Sequence, residues 1–211
     1  MSDAKYNNLI PLDTKEPIWN HFYTVAPLVV IGSKEGSEYD LAPKHMVTPL
    51  GYDNYFGFVC TPDHATYHNV KRNKEFTVSF IKPDQVIMAS LAAAPRCVEK
   101  STEKAIVKHL PQFQAHHVDA PFVKDSYLLF ECRLDKIVDG FGDCSMIAGK
   151  IIAAYVDPGA KRISDGDEES MIYDMPMLAY LPYGRFAKIQ KTFAFPFPKD
   201  FAVKNLIDQN S

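Results

Sequence analysis

Apolar residues in this chain gather in strand-length runs, and the helical segments between them keep no regular alternation with those runs. The strand candidates are Tyr23–Gly32 (YTVAPLVVIG), Tyr55–Cys60 (YFGFVC), Phe76–Ile81 (FTVSFI), Ser126–Val138, Cys144–Val156 and Tyr183–Phe193. Helices are expected over Asp84–Ala94, between Pro83 and Pro95, and over Ser101–Leu110, which Pro111 stops. An open α/β sheet needs strands and helices in turn, so it fits this order poorly. The expectation is a mainly β (α+β) fold of about six or seven strands, an antiparallel β-barrel with peripheral helices.

The run Tyr23–Gly32 is almost wholly apolar, which implies burial on both faces or a place in a barrel wall. Gly32 and Gly36 around Lys34-Glu35 predict a hairpin that returns antiparallel. Ser126–Val138 and Cys144–Val156 should pair across Asp139–Asp143, a turn dense in Gly and Asp. Residues 1–211 read as a single domain with a polar N-terminal arm over 1–20 and a tail over 193–211. Trp19, the single tryptophan, either pins that arm to the core or lines a ligand pocket, with packing the commoner use of such a ring. The tail FAFPFP suits neither helix nor central strand, and its phenylalanines need cover, which points to a partner subunit.

With 211 residues the chain is long enough to bury a substantial core. A formal charge of −3 gives no support to nucleic-acid binding through bulk electrostatics. Cys60, Cys97, Cys132 and Cys144 lack metal-ligand or redox spacing, and reduced thiols are expected. With no signal-peptide pattern and no apolar run of membrane-spanning length, a cytoplasmic protein without membrane contact is expected.

Chemistry concentrates between Tyr39 and Ile81, where two strands should bracket a helix. Thr61-Pro62-Asp63 has the order of a helix start: a capping hydroxyl, a proline at the first position and an acid in the first turn. Such a terminus either is simply capped or receives an anionic group on its free N–H groups. Lys44 and His45, expected in a loop after Ala42-Pro43, are either a solvated pair or a phosphate contact. Asp40, Thr48, Thr66 and Asn69 add polar groups near the same place. His109, His116 and His117 lack partners at metal-ligand spacing, so no metal site is assigned. The dinucleotide fingerprint GxGxxG is missing, so any nicotinamide cofactor binds without a Rossmann unit.

The runs APLVVIG, YDLAPKHM and YFGFVC-TPDHATYHNV-KRNKEFTVSF, with DSYLLFECRLDKI, FGDCSMIAGKIIAAYVD and LPYGRFAKI, resemble the flavin reductase-like, FMN-binding split-barrel family over about residues 23 to 190. The resemblance implies an antiparallel split β-barrel and a homodimer with FMN, or FAD, at the subunit interface. It also implies hydride transfer from NAD(P)H to flavin, the alternative being an FMN-binding electron carrier without NAD(P)H activity. In the family the segment written here Asp40–His45 usually begins with Asn and ends with a small hydroxyl residue that contacts the flavin phosphate; His45 can replace that hydroxyl as donor. The cofactor-binding set so implied is Asp40, Ala42, Pro43, Lys44, His45, Cys60, Thr61, His64, Thr66, Asn69 and Arg185. No catalytic side chain is assigned, since the flavin carries the hydride chemistry.

Overall fold

Val29–Glu35 (β1) and Glu38–Lys44 (β2) pair antiparallel around a turn at Gly36, whose φ of 62° suits a residue without Cβ. The computed structural model describes residues 9–93, 105–162, 170–182 and 184–193. After β2 come Val47–Pro49 (β3), Tyr55–Cys60 (β4), the helix Ala65–Asn73 (α1) and Glu75–Phe80 (β5). The helix Val86–Leu91 (α2) follows, then the short ladder Gln112–Gln114 (β6) with Pro121–Val123 (β7). The long hairpin Leu128–Phe141 (β8) and Cys144–Val156 (β9) comes next. Helix Ser170–Asp174 (α3) precedes a last hairpin, Met177–Leu181 (β10) and Arg185–Ile189 (β11).

The main sheet has seven strands in the order β2-β1-β5-β8-β9-β4-β3, and all its pairings are antiparallel. Its two edges, β2 and β3, are joined by His45 and Met46 alone. A flat sheet would hold those edges about 29 Å apart, at about 4.8 Å per strand. The chain from Lys44 to Val47 can span only about 11 Å. The sheet therefore curls until its edges nearly meet, and the opening between β2 and β4 is the split of the barrel.

Both faces of β1 are covered. Val29 and Ile31 pack inside the barrel with Phe56, Phe58, Phe76, Val78, Cys132 and Ile147. Val30 faces the opposite way, beneath Val86 and Ala89 of α2. This is why its apolar positions run on without alternation. Gly149 makes room for a barrel ring, since a Cβ there would stand 2.5 Å from Phe76 Cζ. Helix α1 closes one end of the barrel with Tyr67 and Val70, and ends at Lys74, whose N–H reaches Val70 O at 2.9 Å from a left-handed backbone.

Several expectations are corrected. Asp40–Lys44 is strand, not loop; β2 lies at the sheet edge, where Pro43 deprives no ladder neighbour of a donor. Thr61-Pro62-Asp63 is a turn closed by His64 N–H on Thr61 O at 3.0 Å, and α1 begins at Ala65 with His64 as N-cap. The helix expected from Asp84 is a 3-10 turn, Pro83–Gln85, running into α2, and that expected over Ser101–Leu110 is described as a 3-10 turn, Ala105–His109. The first strand starts at Val29; among the described residues before it only Ala26 makes a bridge, to Tyr180. The strand expected over Tyr183–Phe193 forms β11, which pairs with β10 and not with the main sheet.

Trp19 is 56% exposed and meets Phe22 edge to face, so it does not pin the arm to the core. No sheet bond holds the segment that carries it. His116 and His117 act through their backbone: with Val118 they donate N–H groups to the buried carboxylate of Glu131. Cys60, Cys132 and Cys144 are free thiols, whereas Cys97 and the tail beyond Phe193 lie outside the described residues. Among the described residues no helix is long and apolar enough to cross a membrane.

Candidate functional site

A cavity of about 730 Å³ lies in the split, where the two edges of the sheet approach each other. Small-molecule sites commonly occupy about 300–1,000 Å³. Strand β2 delivers Asp40, Ala42, Pro43 and Lys44 to one wall, and the crossing residues His45 and Met46 continue it. The end of β4 supplies Val59 and Cys60 opposite. The turn beyond it adds Thr61, Asp63 and His64, and α1 begins in the cavity with Ala65 and Thr66. Ala92 and Ala93, just past α2, and Cys144 at the start of β9 complete the lining.

Lys44 Nζ donates to Cys60 Sγ at 3.4 Å, joining the two sides of the split. Burial pushes the Cys60 thiol above its ordinary range; the Lys44 charge and the backbone of Tyr67 oppose that shift without cancelling it. The thiol is therefore protonated near neutral pH. Thr61 Oγ1 and Cys144 Sγ lie 3.8 Å apart, which brings β9 to the same corner. His45 packs its ring on Tyr180 of β10 with centroids 5.0 Å apart. Burial first, and the neighbouring Lys44 second, hold His45 below the usual imidazole range, so it is neutral at pH 7.

Behind this lining runs a polar layer. Thr66 Oγ1 donates to the fully buried Asp40 Oδ2 at 3.3 Å. Asn69 donates to Ser33 Oγ at 3.3 Å and accepts from Arg72 at 2.9 Å. Helix α1 has no side-chain cap, and Ala65 and Thr66, whose N–H groups belong to its first turn, line the cavity.

Of the residues expected from sequence, Asp40, Ala42, Pro43, Lys44, His45, Cys60, Thr61, His64 and Thr66 meet around this one cavity. Asn69 sits a turn deeper in α1, facing β1 through Ser33. Arg185 opens β11 on the surface; its hairpin reaches the wall through Tyr180 and His45. Met46, Val59, Ala92, Ala93 and Cys144 were not anticipated. Cys144 arrives through the register that sets Cys60 opposite Ser145, a pairing without a local signal.

The lining combines charged, polar and apolar groups. It offers an ammonium group, hydroxyls and uncapped helix amides at one corner and apolar side chains along the walls. Among the described residues no three His, Cys, Asp or Glu side chains gather as metal ligands.

Residues 22–181 match the family model described as the flavin reductase like domain. No curated protein sequence matches the chain. The fold is similar to that of 2-nitrobenzoate 2-nitroreductase from Pseudomonas fluorescens, with a TM-score of 0.72 and 17% identity over 90% of this chain and 95% of that one. It is similar also to flavoredoxin of Desulfovibrio vulgaris, with a TM-score of 0.70 and 17% identity over 90% and 99% of the two chains. An FMN-binding protein from Thermus thermophilus aligns with a TM-score of 0.69 and 20% identity over 90% and 98%.

Proposed function

The chain belongs to the flavin reductase-like family, and from that premise we propose that its cavity binds flavin mononucleotide and serves hydride transfer from NAD(P)H to flavin. The observation that carries this reading is the Lys44–Cys60 corner in a cavity of about 730 Å³, at the uncapped start of α1. A bound flavin supplies the hydride-accepting ring. The chain's residues bind it, orient it and shape its electrostatics. Lys44 and the first-turn N–H groups of Ala65 and Thr66 face a phosphate ester. Val59, Met46, Ala92 and Ala93 give apolar wall to a planar ring system and keep water from it. Thr61, at the β4 exit, carries a backbone N–H and a hydroxyl to the ring edge, where negative charge grows on reduction. His45, neutral beside Lys44, donates or accepts without adding a second charge.

We extend the proposal to a cytoplasmic homodimer with the flavin held between subunits. Val138, Phe141, Ile152, Tyr155 and Val156 are exposed apolar side chains along the long hairpin, and their exposure supports a second copy as partner. The direct test follows NADH and NADPH oxidation by the purified chain with and without added FMN. Flavin-dependent turnover is expected. A chain that binds FMN yet oxidises neither nucleotide is an electron carrier, and one that binds no flavin overturns the reading.

A further inference from the structure

We propose that Cys60 is a positioning residue for anion capture: it accepts the Lys44 ammonium across the split and so aims that charge at the phosphate ester of a bound flavin. The inference rests on the flavin-binding reading above and deepens it.

Lys44 is the last residue of an edge strand, and its four-carbon stem would sample many rotamers if nothing held it. It is also the single Lys or Arg among the described residues lining the cavity, so the direction of its charge decides where an anion can bind. Cys60 comes from β4, on the far side of the opening, and is 2% exposed. Its sulfur lies 3.4 Å from Nζ, and the same thiol is approached by the backbone of Tyr67 near the start of α1. The ammonium is thereby drawn toward the helix terminus whose first residues, Ala65 and Thr66, line the cavity.

A thiol suits this task better than a carboxylate. An acid at position 60 would pair with Lys44 and cancel its charge, whereas a neutral sulfur takes one of the ammonium's three donors and leaves the charge and the other two for an incoming anion. Burial keeps Cys60 in that neutral form. The other titratable groups lining the corner are Cys144, His45, His64, Asp40 and Asp63. Asp40 is occupied by Thr66.

The experiment titrates the full chain with FMN and with riboflavin, which shares the ring system and lacks the phosphate, by flavin fluorescence quenching. Cys60→Val is expected to weaken FMN about tenfold, the size of one charge-assisted hydrogen bond, and riboflavin by less than about twofold. Cys60→Ser should restore most of the difference, because a hydroxyl also accepts from an ammonium. In a Lys44→Met background, Cys60→Val should add nothing further for FMN. Should the valine variant not fold, Cys60→Ala is read in the same way. Equal weakening of both ligands would make Cys60 a wall residue and overturn the proposal. So would FMN binding that Lys44→Met weakens and Cys60→Val leaves alone. A wild-type chain that binds neither flavin instead overturns the parent reading, and this inference with it.

Discussion

The side chains of Asp40 and Thr66 meet at 3.3 Å inside the protein, a carboxylate of the edge strand β2 accepting a hydroxyl from the first turn of α1. This contact ties one lip of the split to the helix that closes the barrel. Asp40 is fully buried, so any bond it loses there is not replaced by water. Thr66→Val should cost about 1.5–3 kcal/mol of stability, the range for a hydrogen bond to a buried charge. Urea unfolding measures it, and a loss near zero would show that the other contacts of Asp40 suffice.

Glu131 holds a different seam. Its buried carboxylate accepts N–H groups from His116, His117 and Val118 and the hydroxyl of Tyr155 at 3.0 Å, fixing the loop between β6 and β7 against β8. Removing the acceptor strands several donors at once. Glu131→Ala is expected to destabilise by about 3 kcal/mol or more. Amide exchange at 116–118 should rise far more than elsewhere, and uniform exchange rates across the chain would contradict this.

Gly149 stands where a methyl group would run into Phe76. Gly149→Ala should cost about 1–3 kcal/mol through overpacking. Phe76→Leu, destabilising alone, should recover part of that loss when the two are combined. A strictly additive double variant would mean that the clash is relieved by the backbone.

His45 gives stability a pH dependence. Its folded pKa lies below the unfolded value of 6.5, chiefly through burial. Between those two values the unfolded chain binds more protons, so stability is full above pH 6.5 and declines as pH falls toward the folded pKa. His45→Gln should flatten that part of the stability–pH curve. Identical slopes for variant and wild type would remove His45 as the cause.

The outward residues of the long hairpin make a prediction about assembly. Ile152→Asp puts a charge in place of an exposed apolar side chain of β9. If two copies meet there, sedimentation velocity should move from dimer to monomer. An unchanged profile would put the contact elsewhere.

The unit β4–α1–β5 was readable because its signals are local: apolar runs of strand length on either side of a turn and a polar helix. The stretch Asp40–Lys44 was misread because its proline and charges look like a loop, and only the sheet order shows that it is an edge, where both are tolerated. Thr61-Pro62-Asp63 has the right grammar for a helix start, yet the chain spends it on a tight turn and begins the helix at Ala65. Cys144, Ala92 and Ala93 reach the cavity through strand register and helix packing, and nothing near them in sequence announces it. Tyr180 reaches His45 by way of a separate hairpin, which no periodicity could place.

The two-residue crossing at His45 and Met46 has a mechanical consequence. A closed hoop shares load all round, but this one has a single unzipped seam, and thermal breathing should begin there. Whatever fills the gap acts as a rivet between the first and last staves. Occupancy should therefore be felt along both lips of the seam, as slower amide exchange in β2 and β3, while β8 on the opposite side scarcely notices.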